Sequence, residues 1–486
     1  MLNEKLSGEE LLKYYVDAFN EADEETCKNL IDNEHAYEWL KNEIPIFSCP
    51  DKDIEKAYYF RWWTYRKHLR SRGDGYVITE FLPEVPWAGE HNEINAGVGH
   101  HLYEGRWLKN GKRYLSSYIN YFLDNPERGH QYSAWLADAT LRMCEISGDF
   151  NLGEDFLDKL VKYYEEWEES HALKDGTFWS IDGEDAMEFS ISGTDEDHRT
   201  LRGIRPTLNS YMCADAYAIS RFAELEGNLD LAERFKAKGD RLKEKINSLL
   251  FFDGFYYAYH YYDEKELPSL FDNLRGKQPR ELIGYIPWMF KIPEKGKESA
   301  FRLLGDPAVF YSEQGITTAD RSHPRYLYPA DHECLWNGYV WPFATSQTLT
   351  SLYTVIREYA DSEEYKKLFY KLLKQYAISH HRVREDGVTV PWIDEVRHPE
   401  YDDWSSRTIL MENREIYERG KDYNHSTFAD LVISGLLGVC ATPDGEIVVK
   451  PNIPDDWDYF TLDGVHVGGK CYSIEYKNKV LKVERR

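Results

Sequence analysis

The strongest constraint on the fold of this 486-residue chain is the helical period of its apolar residues. Within Leu208–Glu226, Met212, Ala216, Ile219 and Phe222 recur at three- and four-residue spacing, which places them on one face of an α-helix. Gly8–Asn20, Asp51–Arg70, Gln131–Ile146, Asp155–Glu169, Asn228–Leu250, Gly338–Tyr359 and Ser362–His380 are further amphipathic segments of this kind. A chain of such segments has to bury helix against helix. Near Ala441 the pattern changes to the two-residue alternation of CYSIEY and VLKVE between Gly, Asp and Asn turns, which predicts short antiparallel strands. The expected organisation is a helical body over 1–440 and a small β module over 441–486.

Charge narrows the partners. A formal net charge of −26 repels nucleic acid and anionic membranes over most of the surface. No stretch approaches the ~20 apolar residues that span a bilayer. The start, MLNEKLSGEELLKYYVDAF, lacks the charged-then-apolar pattern of a secretory signal. Seven scattered cysteines, an odd number with no CxxC pair, point to reduced thiols. These features together predict a cytoplasmic protein with a small-molecule partner.

Four loops concentrate polar groups beside aromatic rings. In Glu80–Glu104, Trp87, Glu90, His91, Asn92, Glu93, His100 and His101 form a run interrupted by glycines. Its spacing matches no dedicated metal pattern such as HExxH, so no metal is expected. In Phe178–Tyr211, Asp182, Glu184, Asp185 and Glu188 crowd a loop between Trp179 and Phe189, with Arg205 downstream. Like charges and an apolar wall raise carboxyl pKa values, which is how a general acid stays protonated near neutral pH. In Tyr328–Gln347, WNGYVWP sets Trp336 and Trp341 around Asn337 and Gly338 and leads into a helix. In Thr389–Asp430, Asp394, Glu395, Glu400, Asp402 and Asp403 lie between Trp392 and Trp404, with Arg397 and His398 close enough in sequence to keep a base ionised. Asn424, His425 and Ser426 open the next helix.

Two carboxylate clusters framed by aromatics are what glycoside hydrolysis requires. One carboxylic acid protonates the leaving oxygen, and a carboxylate attacks the anomeric carbon or activates water. Sugars also stack their C–H faces on aromatic rings, and Trp87, Trp336, Trp341 and Trp392 are candidates for that. No nucleophile elbow, P-loop or dinucleotide motif competes. Three other readings remain open on the residues alone. They are a glycoside phosphorylase, an epimerase or isomerase using paired histidines (His100, His101, His380 and His381), and a carbohydrate-binding protein without turnover.

The same loops resemble the clan of (α/α)6 inverting glycosidases that includes processing α-glucosidase I (glycoside hydrolase family 63), mannosylglycerate hydrolase and trehalase. WNGYVWP at Trp336–Pro342 is similar to their WRGPVWP stretch, with Asn337 in place of Arg. SEQGITTADRSHPRY at Ser312–Tyr326 is similar to the segment upstream of it. DGEDAMEFS at Asp182–Ser190 resembles the loop that carries their acid, and IDEVRHPEYDDW at Ile393–Trp404 the loop that carries their base. The likeness runs from about residue 80 to 440.

The resemblance implies a mainly α fold, an (α/α)6 toroid, and hydrolysis of a small saccharide or glycoside, of the α-glucoside or α-mannoside type, with inversion and without a cofactor. It makes Asp185 the acid, with Asp182 and Glu184 as alternatives, and Glu395 the base. Trp87, Glu90, His91, Asn92, Trp179, Asp182, Arg205, Trp336, Asn337, Trp341, Trp392, Asn424 and His425 are the expected substrate contacts.

Overall fold

The computed structural model describes residues 6–195, 197–260, 269–270, 279–330, 332–413 and 418–486. Helices α1 (Gly8–Ala22) and α2 (Ala36–Glu43) precede α3 (Lys52–Tyr65), whose first turn Asp51 caps by accepting the backbone N–H groups of Asp53 and Ile54. Then follow α4 (Val98–Gly105), α5 (Gly111–Asp124), α6 (Leu136–Ser147), α7 (Phe156–His171), α8 (Pro206–Leu225) and α9 (Leu229–Lys245). The short α10 (Ile286–Met289), α11 (Pro342–Glu358), α12 (Glu363–Ser379) and α13 (Phe428–Asp430, continued by a wider turn to Leu436) complete the helical body.

These helices form an (α/α)6 toroid. Each of α4, α6, α8, α10, α11 and α13 packs on the next, and α13 with its continuation returns to α4. Outside this inner ring lie α3, α5, α7, α9, the tight helix Glu298–Gly305 and α12. Burial separates the two rings. Inner α8 is buried at nearly every position from Pro206 to Ala223, and α11 from Pro342 to Ile356. Outer α9 buries only Ala232, Phe235, Gly239 and Leu242, the single stripe of a surface helix.

Helix starts differ from the sequence expectation where the backbone forbids helix. Gly338 adopts φ +138°, so the segment expected from Gly338 becomes helical only at Pro342, a residue suited to the first helical position. Likewise Trp135, at φ −98° and ψ 61°, departs from helical geometry within the helix expected from Gln131, and α6 starts at Leu136.

The C-terminal strands pair as expected in antiparallel fashion, with a contribution from far upstream. β1 (Ile46–Ser48) pairs with β2 (Tyr459–Val467), which pairs with β3 (Lys470–Lys477) and then β4 (Val480–Arg485). Gly148 ends α6 at φ +72°, and a Cβ there would sit 2.9 Å from the Gly468 backbone, so this close approach needs glycine. The Gly468 N–H donates to Ile146 O at 2.8 Å, fastening the sheet to the toroid.

Ring closure is marked by a buried ion pair. Arg61 of α3 donates from Nε to Glu104 of α4 at 2.9 Å and from Nη2 to Asn424 at 2.7 Å. Glu104 accepts the first backbone N–H groups of the last inner helix, from Ala429 (3.0 Å) and Asp430 (2.8 Å). Both charged side chains are fully buried. Replacing Arg61 by Met therefore strands a buried carboxyl, and urea unfolding at pH 7 should show a loss of about 3–5 kcal/mol. A loss below about 1 kcal/mol would show that the ring closes without the pair.

Candidate active site

In each hairpin an outer helix is followed by an inner one, so the loops entering the inner helices gather at one end of the toroid. Backbone hydrogen bonds join them there. Trp336 donates to Glu188 O (3.1 Å), Ser133 to Glu184 O (2.7 Å), and Asn424 to Glu80 O (3.3 Å). Val340 and Arg397 exchange a reciprocal pair of bonds.

At this end Arg419 stands among the carboxyl groups of Glu80, Glu188, Glu333 and Glu395. Arg419 donates from Nη2 to Glu395 at 2.8 Å and from Nη1 to Glu333 at 2.9 Å. Its guanidinium also lies over the rings of Trp87 (5.2 Å) and Phe81 (5.4 Å). Burial works against an ionised Glu333, but a backbone N–H and Arg419 hold it below the ordinary carboxylate range. Glu188 has no cation. Burial pushes it up to about 8, and the charges of Asp182, Glu395 and Glu333 push the same way. Burial also carries Glu80 well above the ordinary range, with Glu395 and Glu188 adding to the effect and Arg419 opposing it.

Glu188 keeps partial solvent access. Burial raises the Tyr132 and Tyr423 hydroxyls and the Cys334 thiol above their ordinary ranges, and the charges of Glu188 and its carboxylate neighbours push the same way. Trp341 stacks on Trp336 at 4.4 Å and stands 6.5 Å from Tyr423. The turn bearing Glu188 is strained, since Ala186 and Phe189 adopt φ +54° and +61°.

Asp185 occupies a different setting. Its carboxylate accepts from Ser133 Oγ (2.7 Å), Arg205 Nε (2.6 Å) and Thr207 Oγ1, and its side chain is fully buried. Arg205 spends its other nitrogens on Ser192 (3.0 Å) and Ser190 (3.2 Å). Asp182 is raised to about 6, mainly by burial, with Arg205 opposing.

The remaining expected contacts divide by position. Trp87 stands at the rim with 39% of its surface exposed. Glu90 is exposed, and His91 meets Tyr121 edge-on at 6.0 Å. Asn92 is buried and organises its own loop by bonding Val85 N, Phe81 O and Pro83 O. Trp179 packs on His171 (4.6 Å) and Arg202 (4.4 Å). Asn337 donates to Tyr328 O at 2.7 Å. Trp392 lies under Arg382 (4.2 Å) and donates weakly to Asp394 (3.3 Å). Asn424 is engaged by Arg61 and by Thr79 O (2.9 Å). His425 is buried 3.5 Å from Glu80, and its Nδ1 meets the Tyr423 hydroxyl at 2.8 Å.

Sequence reasoning passed over Glu80, Arg419 and Tyr423, and named Glu188 only as one of a crowd. A signal for Glu188 existed, because Met187 and Phe189 flank it with apolar surface. The cation beside Glu395 is Arg419, whereas Arg397 pairs with Asp402 and Gln314. Gly420 permits this packing, since a Cβ there would lie 1.9 Å from Asp394 Oδ1. His332, Glu333 and Cys334 bring three potential metal ligands within 4.8 Å of one another, with Glu333 already held by Arg419. A cavity of about 650 Å³ lies at the opposite end, between the C-terminal halves of α6 and α11 and residues 438–452, away from the carboxyl cluster.

Comparison with known proteins agrees with this architecture. Residues 90–426 match the model of the mannosylglycerate hydrolase MGH1-like glycoside hydrolase domain. A solved structure described as a sialidase superposes with a TM-score of 0.86 and 32% identity, over 97% of this chain and 42% of that one. The family 63 mannosylglycerate hydrolase from Thermus thermophilus, solved with glucose, shares the fold at a TM-score of 0.51 and 12% identity, over 74% of this chain and all of that one. An α-L-rhamnosidase from Dictyoglumus thermophilum does so at 0.55 and 13%, over 90% of this chain and 43% of that one. An uncharacterized protein of Borreliella burgdorferi is 28% identical over 171 residues, 35% of this chain and 32% of that protein. The chain thus spans less than half of the sialidase and about a third of the Borreliella protein. With the family model matched across more than two-thirds of its length, the chain belongs to the MGH1-like glycoside hydrolases.

Proposed function

We propose that this chain hydrolyses the glycosidic bond of a small saccharide or glycoside by a single displacement with inversion, with Glu188 as general acid and Glu395 as general base. The observation that carries the reading is the contrast between two carboxyls close enough for the charge of Glu395 to raise Glu188. Glu188 has apolar and acidic neighbours and no cation, so it remains protonated at neutral pH. Glu395 instead accepts a hydrogen bond from the Arg419 guanidinium at 2.8 Å. A carboxyl raised by burial near a second carboxyl paired with a cation is the arrangement expected of an acid and a base. Asp185, the acid implied by sequence resemblance, is fully buried and bonded to Ser133, Arg205 and Thr207. Three donors engage its two oxygens, and through Arg205 it anchors the loop.

In the proposed step Glu188 gives its proton to the glycosidic oxygen as the bond to the anomeric carbon breaks. Glu395 takes a proton from the water that attacks the opposite face, and solvent then restores both groups. Trp87 at the rim supplies aromatic surface for a pyranose or furanose face. The α-glucoside and α-mannoside classes are the first substrates to test, with the rhamnosides of the structural relatives beside them.

Proton NMR of the first-formed sugar from a panel of neutral glycosides should show inverted anomeric configuration. Glu188→Gln and Glu395→Gln should each lower kcat by about 10²–10⁴-fold. Asp185→Asn should instead lower stability while leaving the pH profile of the remaining activity unchanged. Retained configuration, or an unaffected Glu188→Gln enzyme, would sink the assignment.

Two pH effects follow from Glu188 being raised to about 8. As the acid must be protonated, kcat/KM should fall as pH rises through about 8. The same shift costs stability. A carboxyl whose folded pKa lies above its unfolded value stabilises the native state least at high pH, the loss developing from about pH 4.3 up to the folded value. Glu188→Gln removes that penalty. It should therefore be more stable than wild type by at least about 1 kcal/mol at pH 8, with the difference vanishing near pH 4 in urea titrations.

A further inference from the structure

We infer that the chain forms a two-fold dimer through the free edge of β4, set antiparallel to the β4 of a second copy and centred on Val483. The interface is independent of the hydrolase reading. β4 bounds one side of the C-terminal sheet, and its edge away from β3 has no partner among the described residues. Every residue from Val480 to Arg485 is exposed, including three apolar ones, Val480 (66%), Leu481 (36%) and Val483 (39%). β1 and β2 lie against α1, α3 and α6, and β3 stands between them and β4. Two strand spacings hold the edge about 10 Å beyond β2, where a second chain can reach it.

The turn before β4 decides which backbone groups that edge offers. Asn478 and Lys479 adopt φ +50° and +65°, the left-handed pair of a two-residue type I′ hairpin. In such a hairpin the flanking residues, Lys477 and Val480, exchange both backbone hydrogen bonds, and the direction then alternates along the strand. Val480, Lys482 and Glu484 turn their N–H and C=O groups toward β3. Leu481, Val483 and Arg485 turn theirs outward. Arg486 keeps the alternation, its N–H donating inward to Cys471 O at 2.9 Å. The register from Lys477↔Val480 to Tyr472↔Arg485 has no bulge, and no proline interrupts it. Such an edge is a template for a further strand, and bulges and prolines are devices that prevent this.

The side chains select a second copy as that strand. With Val483 opposite itself, Leu481 pairs with Arg485 of the partner, and the outward residues exchange about six backbone hydrogen bonds. Val483 lies across β3 from the buried Ile474, so these pairs extend the apolar face of the sheet. On the other face Lys482 stands across from the partner's Glu484, and Glu484 from the partner's Lys482. These positions are the non-hydrogen-bonded ones, where opposed side chains approach most closely. Within one strand Lys482 already meets Glu484 at 2.6 Å, so the four charges of the dimer alternate in sign. Slipped by two residues, with Leu481 opposite itself, Lys482 meets Val480. Slipped the other way, the two Arg485 side chains face each other.

Sedimentation velocity of the intact chain across micromolar concentrations at physiological salt should show a monomer–dimer equilibrium. Glu484→Lys, which faces Ser473 within its own sheet, sets Lys against Lys across the axis and should raise Kd at least about tenfold. Lys482→Glu should do the same. The double variant Lys482→Glu/Glu484→Lys restores opposed charges at unchanged net charge and should return Kd to within about threefold of wild type. If general repulsion between chains of net charge −26 governed association, Glu484→Lys would strengthen it, and that result overturns the inference. Val483→Pro removes an outward N–H and leaves the β3 ladder intact, so it should give a monomer with the far-UV circular dichroism of wild type. The charge variants decide the matter if Val483→Pro fails to fold. A wild-type monomer at every concentration, or a dimer that survives both a folded Val483→Pro and the single charge reversals, overturns the inference.

Discussion

The toroid depends on one buried ion pair that joins its beginning to its end. Arg61 and Glu104 belong to the first hairpin, and through Asn424 and the backbone of Ala429 and Asp430 they hold the last inner helix in place. Partners separated by more than 320 residues meet only when the ring closes in the correct register. The desolvation of two charges offsets much of their attraction, so the pair adds little net stability. A wrong register, which would strand either charge, is strongly disfavoured.

The same closure shapes the chemistry. Asn424, held by Arg61, is followed by His425, which packs against Glu80 under the carboxyl cluster. Above it, a single guanidinium divides four carboxyls into two kinds. The two that Arg419 touches are Glu333 and Glu395; the two it does not touch, Glu80 and Glu188, are driven toward protonation by burial and by their neighbours. In the proposed mechanism the base is a carboxyl that this arginine touches and the acid one that it does not.

Much of the architecture was legible from periodicity. The stripe through Met212, Ala216, Ile219 and Phe222 lies on a helix, and the alternation in CYSIEY lies on a strand. Helix starts were less legible. The left-handed turn at Gly338 and the non-helical backbone of Trp135 depend on which loops meet there, and local propensity carries little of that information. Within the site, sequence reasoning marked Glu395, Trp87, Trp341 and His425, which the structure gathers in or beside the carboxyl cluster. It also marked Asn92, Asn337 and Asn424, whose side chains bond backbone or buried partners.

By itself the sequence determined the helical body, the strands after it, and which loops are rich in carboxylates and aromatic rings, because these follow from local period and composition. The tertiary structure alone decided which carboxyl in a crowded loop stands free. Asp185 and Glu188 are three residues apart, and only folding puts Arg205, Ser133 and Thr207 on one while leaving the other without a cation. A carboxyl group's protonation depends on distance to charge and on removal of water, and both are properties of three-dimensional neighbourhood.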